Sequence, residues 1–181
     1  MKVIAFTGMP WSGKSEAVEI AKRQGIPVIR MGDIVWEEVK NRHLDLNSEN
    51  VGKIAHEMRL SNGMDIWAKR TIQKMKEINQ SSIIVIDGIR NPEEISAFKE
   101  KFRSDFMLIC IDAKDKVRYQ RAMNRHRIDD SLDKNEIIKR DEREKNWGIE
   151  KVMANADKTF QNDTSLSSFQ HRISQFLESI D

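Results

Sequence analysis

The sequence predicts an α/β fold in which buried strands alternate with helices. Three observations carry that expectation. Short apolar runs recur along the chain, bounded by Gly, Pro and Asp, as buried strands do. Between them lie longer segments with apolar residues three and four apart, the helical spacing. At the amino end, an apolar run, a glycine-punctuated loop and a run of good helix formers follow one another directly.

The first strand is Lys2-Val3-Ile4-Ala5-Phe6-Thr7, and the first helix covers Glu16 to Arg23. Gly25-Ile26-Pro27 stops that helix, and Val28-Ile29-Arg30 reads as a second strand. A helix follows over Ile34 to Val39, with Asp33 placed to cap it. Residues 41 to 50 are polar and read as a loop; helices then cover Val51 to Leu60 and Met64 to Ile78. Ser82 to Gly88 is a third strand, Glu93 to Lys101 a short helix, and Asp105 to Asp112 a fourth strand. Two charged helices, Lys114 to Arg125 and about Lys134 to Lys145, precede a last strand at Asp157 to Gln161. A final helix starts at Thr164/Ser165, with Leu166, Phe169, Ile173, Phe176, Leu177 and Ile180 facing the core. The length of 181 residues suits one domain able to bury a proper core.

The loop after the first strand reads Gly8-Met9-Pro10-Trp11-Ser12-Gly13-Lys14-Ser15, the pattern G-x-x-x-x-G-K-S. Its glycines let successive backbone N–H groups point inward and make a nest for an anion. The helix that follows adds its positive amino-terminal end. In that setting Lys14 reaches the β- and γ-phosphates of a nucleotide and the Ser15 hydroxyl holds Mg²⁺. The third strand delivers Asp87 at its carboxyl end, where a metal beside a phosphate loop needs a carboxylate. Arg90 projects from the same edge and is suited to grip a phosphate. Arg118, Arg121 and Arg125 share a helical face, Arg127 follows, and Arg140 and Arg143 lie three apart. Such runs usually mark a solvated face. Behind the fourth strand of a phosphate-loop protein, at least two of these arginines are expected to clasp phosphates.

Met31-Gly32-Asp33, Asp87-Gly88-Ile89-Arg90 and Arg127-Ile128-Asp129-Asp130, in that order, resemble motifs of adenylate and other nucleoside-monophosphate kinases. With Asp141-Glu142-Arg143-Glu144 and Trp147-Gly148 added, nearly the whole chain resembles archaeal adenylate-kinase-related, dephospho-coenzyme-A-kinase-like proteins. The resemblance implies a three-layer P-loop NTPase fold with a five-stranded parallel sheet. It implies an acceptor-binding helical region over about residues 31–75 and a short lid over about 118–143. It implies ATP with Mg²⁺, bound from Gly8 to Glu16 and by Arg121, and a nucleoside monophosphate, AMP foremost, as acceptor. Ser15, Asp33 and Asp87 serve the metal. Gly32, Asp33, Arg59, Asp87, Gly88 and Arg90 serve the acceptor. Lys14, Arg90, Arg127 and Arg140 neutralise charge on the group in flight.

The chain departs from that pattern at Trp11, where these kinases carry glycine, and at Trp36, where they carry a phosphate-binding arginine. Arg59 or Arg70 is the substitute for the latter. The Asp87–Arg90 motif is a residue short and lacks its proline. Three functions therefore stand side by side: phosphorylation of AMP or CMP, phosphorylation of a dephospho-coenzyme-A-like acceptor, and nucleotide sensing without transfer.

Composition narrows the partners. Net charge is +2 with 33% charged residues, too mild to require nucleic acid, and four scattered tryptophans make no stacking platform. No apolar stretch of 18 residues exists, and the amino end runs straight into the first strand, so no membrane span or leader is expected. The single cysteine, Cys110, suits a reducing cytoplasm. His43, His56, His126 and His171 are scattered, so no metal cluster is expected.

Overall fold

A computed structural model of the chain describes residues 1–78, 81–124 and 134–180. Five strands, β1 (Lys2–Thr7), β2 (Val28–Arg30), β3 (Ile83–Asp87), β4 (Phe106–Asp112) and β5 (Lys158–Gln161), form one sheet in the order β2-β3-β1-β4-β5. Every pairing is parallel. The helices are α1 (Lys14–Arg23), α2 (Met31–Asn41), α3 (Ser48–Asn62), α4 (Ile66–Met75), α5 (Pro92–Phe102), α6 (Asp115–Asn124), α7 (Lys134–Trp147), α8 (Ile149–Ala154) and α9 (Leu166–Glu178).

Alternation along the strands sorts the core into two halves. Val3, Ala5, Ile84, Ile86 and Leu108 face one way and pack with α2, α3, α4, α5 and α8. Ile4, Phe6, Val85, Ile109 and Ile111 face the other way and pack with α1 and α9. The result is a three-layer α/β sandwich. Because both faces are covered, the strands read as unbroken apolar runs.

Several boundaries move from the sequence reading. Helix α1 begins at Lys14, because Gly13 itself turns the chain in the left-handed region. Helix α2 begins at Met31 and places Asp33 in its first turn, so Asp33 does not cap it. The expected loop over 41–50 closes early, because the Asn47 side chain accepts from the Asn50 N–H and starts α3 at Ser48. Helix α8 has no counterpart among the helices expected from sequence; Gly148, at φ 99°, separates it from α7. Asn91 and Ser165 cap α5 and α9. No helix among the described residues is long and apolar enough to cross a membrane.

Candidate active site

The carboxyl ends of β1, β2 and β3 converge on one cleft of about 740 Å³. Strand β1 lies between β3 and β4, so the chain winds in opposite senses on its two sides, and ligands collect at such a point. The loop from Gly8 to Gly13 fills the turn out of β1. Gly8 has φ 140°, and a Cβ there would stand 2.1 Å from the Ile111 carbonyl oxygen, so no other residue fits.

Trp11 takes the left-handed conformation, φ 60°, that glycine adopts without strain. Its side chain holds it there. The ring is 9% exposed, packs with Ala122, Ile137 and Tyr119, and lies 5.1 Å below the Arg140 guanidinium. The loop is braced from behind as well. Arg118 donates to the Pro10 carbonyl at 2.9 Å and to both oxygens of Asp141. Arg121 and Asn162 both donate to the Ser12 carbonyl.

Lys14 donates to the carbonyls of Gly8 and Met9, at 2.6 and 2.9 Å. Burial pulls its ammonium from the usual range down to about 8; Asp87 and Glu144 act upward, Arg90 and Arg140 downward. Ser15 and Asp87 line the cleft with it. Asp87 is 9% exposed, lies 3.6 Å from Arg30 through Oδ2, and keeps Oδ1 buried without a hydrogen bond among the described residues. Asp33 is half-exposed and pairs loosely with Arg30 at 3.8 Å.

Arg90 lines the same cleft and reaches Glu144 at 2.9 Å. Glu94, fully buried, fixes the start of that arginine: its Oε2 accepts from the Arg90 backbone N–H and its Oε1 from Arg59. Trp147 is the centre of this wall. The guanidinium of Arg59 lies 4.3 Å from its ring centroid, and those of Arg90 and Arg143 lie 5.6 Å away. Arg143 also packs against Gly52 and donates to the Ser48 carbonyl.

Of the residues singled out from sequence, Gly8, Pro10, Trp11, Gly13, Lys14, Ser15, Glu16, Gly32, Asp33, Asp87, Gly88, Arg90, Arg121 and Arg140 line this cleft. Met9 and Ser12 do not line it: both side chains are buried beneath the loop. Arg59, expected at the acceptor, does not line the cleft: it is 4% exposed, paired with Glu94 and stacked against Trp147. Arg70 is turned away too, bonded to Glu38 at 2.7 Å. Arg118 shares the expected face with Arg121 but is spent on structure, 1% exposed between Asp115 and Asp141. The role expected of Arg127 falls outside the described residues. Arg30, Glu144, Trp147 and Asn162 were assigned no role from sequence. Arg30 and Asn162 sit where strands end, which was the usable signal.

The family model described as an AAA domain matches residues 7–139. An Archaeoglobus fulgidus protein named UPF0200/UPF0201 is 46% identical over 98% of this chain, which spans 55% of that protein. The UPF0200 protein of Methanosarcina acetivorans is 39% identical over 98% of this chain and 94% of its own length.

The chain belongs to the UPF0200 family. Among solved structures, TT1252 from Thermus thermophilus superposes with a TM-score of 0.65 at 15% identity, covering 99% of this chain and 98% of that one. Shikimate kinase from Aquifex aeolicus superposes with a TM-score of 0.55 at 18% identity, covering 98% and 97%. Likeness at that identity shows the fold alone, and the fold is a P-loop kinase-like one.

Proposed function

We propose that the chain transfers the γ-phosphoryl group of ATP to a small nucleotide-like acceptor. One observation supports this above the rest: the phosphate loop with Lys14 and the arginines Arg90 and Arg143 line a single cleft together. Loop N–H groups and Lys14 would hold the triphosphate, with Arg121 and Arg140 at its flank. Arg90 and Arg143 would hold the acceptor. Trp36, Trp147, Val51 and Ala55 line the same cleft and offer flat apolar surface to a base. Transfer needs little covalent help, since alignment and charge stabilisation supply most of the rate.

The residues fit magnesium. Asp87 Oδ1 is a buried hard oxygen donor without a partner among the described residues, and the Ser15 side chain lines the same cleft. No group of three or more His, Cys, Asp or Glu among the described residues is placed to hold a metal unaided, which suits an ion that arrives with the nucleotide. When bound, it would neutralise phosphate charge.

Two acceptors fit the reading. A nucleoside monophosphate, AMP or CMP, is what the motif order implies, and a dephospho-coenzyme-A-like molecule is the second. Incubating the protein with Mg-ATP and AMP, CMP, UMP, GMP or dephospho-coenzyme A, and detecting the phosphorylated product, tests both. Lys14→Ala is expected to abolish transfer; full transfer by that variant would overturn the site. Tight nucleotide binding with no transfer to any acceptor would instead mark a sensing module.

A further inference from the structure

Charges in the cleft nearly cancel. Among the described residues, six Lys and Arg side chains line it against five carboxylates. Three of those carboxylates, Glu16, Glu19 and Asp33, keep 27%, 52% and 50% of their side-chain surface in water. Asp87 lies beside Arg30 and suits the metal. Glu144 is the one without an explanation.

Glu144 is 2% exposed. Its Oε1 takes the Arg90 guanidinium at 2.9 Å, and its Oε2 is buried with no hydrogen-bond partner among the described residues. A buried carboxylate oxygen left without a donor is costly, on the order of 1–3 kcal/mol or more. The position is not slack. Helix α7 presents Arg140, Arg143, Glu144 and Trp147 to the cleft together. Trp147, one turn on, is stacked against Arg59, Arg90 and Arg143. Glu144 lines the same cleft as Lys14, and its charge is among those acting on that ammonium.

A phosphate acceptor reacts through an oxygen that is largely ionised at neutral pH, so it needs no base, and its own charge is repelled by a carboxylate. An alcohol has the proton. We propose that Glu144 is the general base of the transfer and that the reacting group of the acceptor is a hydroxyl, as on the sugar of a nucleoside or of dephospho-coenzyme A. This rests on the phosphoryl-transfer reading and narrows it. The hydroxyl oxygen attacks the γ-phosphorus and a P–O bond forms. The bond from that phosphorus to the β,γ-bridging oxygen breaks, and its electron pair leaves on ADP. The hydroxyl proton passes to Glu144 Oε2. Arg90, held by the other carboxylate oxygen, keeps the base in place.

The test uses Mg-ATP with adenosine, cytidine and dephospho-coenzyme A in one arm and AMP and CMP in the other. Each arm is run with the native chain and with Glu144→Gln, with binding of ATP followed separately. Gln keeps an oxygen for Arg90 but takes no proton. Alcohol phosphorylation by the native chain is expected, with kcat reduced roughly 10²- to 10⁴-fold in Glu144→Gln at unchanged ATP affinity. Slow hydrolysis of ATP, with water attacking in place of the alcohol, is expected to fall in parallel. Should Glu144→Gln not fold, Glu144→Asp is expected to retain partial turnover. Transfer to the phosphate of AMP or CMP, equal alcohol phosphorylation by Glu144→Gln, or no alcohol phosphorylated by a chain that binds ATP would overturn the proposal while leaving nucleotide binding intact. A native chain that binds no ATP overturns the phosphoryl-transfer reading itself.

Discussion

Lys14 carries a proton-linked signature of nucleotide binding. Burial in the cleft brings its ammonium to about 8 rather than 10.5 by removing it from water. A triphosphate supplies the negative charge the site lacks and returns the pKa to at least its ordinary value. At pH 9 only about one Lys14 in eleven carries the proton before the nucleotide binds, whereas nearly every one does afterwards, so binding takes up about 0.9 proton. The same arithmetic makes ATP bind about tenfold more weakly at pH 9 than at pH 7. Calorimetric titration at pH 9 in two buffers of different ionisation enthalpy reads the uptake directly. In Lys14→Arg the uptake is expected to vanish, because a guanidinium stays charged throughout. The sign for folding follows the same logic. The unfolded chain binds more protons between about pH 8 and 10.5, so the Lys14 contribution to stability rises with pH across that window. Superimposable heats in the two buffers at pH 9 would refute the reasoning.

Three further outcomes are expected. Glu94→Ala strands the buried Arg59 charge and orphans the Arg90 N–H, so urea unfolding should show a loss of about 3–5 kcal/mol. Replacing both partners, as Arg59→Leu with Glu94→Leu, should recover most of that loss; a double variant as unstable as the single one would contradict a charge-based cause. Trp11→Gly should be more stable than Trp11→Ala by about 1 kcal/mol, because only glycine takes φ 60° freely; equal thermal midpoints would contradict this. Gly52→Ala adds a Cβ that would stand 2.3 Å from the Arg143 guanidinium, the far end of a long side chain that can shift, while favouring helix by up to about 1 kcal/mol. Stability should therefore hold or rise while acceptor KM increases; unchanged KM would remove Arg143 from the acceptor wall.

The phosphate loop, the five strands and the place of Asp87 and Arg90 beside the cleft were legible in the chain because each depends on neighbours a few residues away. Strand periodicity, a glycine-tuned turn and a carboxylate at a strand end are local facts. The fates of the arginines were not legible. Arg59, Arg118 and Arg143 all sit on helices, yet two are buried in ion pairs with Glu94 and Asp141 and one lines the cleft. Sequence carries no record of which helix a guanidinium will meet. Trp11 shows the same division: its place in the loop was visible, but the support for its left-handed backbone comes from α6 and α7, more than a hundred residues on. Burial and pairing across the fold decide whether a charge is free to meet a substrate, because a desolvated ion must first be matched by another, and that match exists only after the helices have packed.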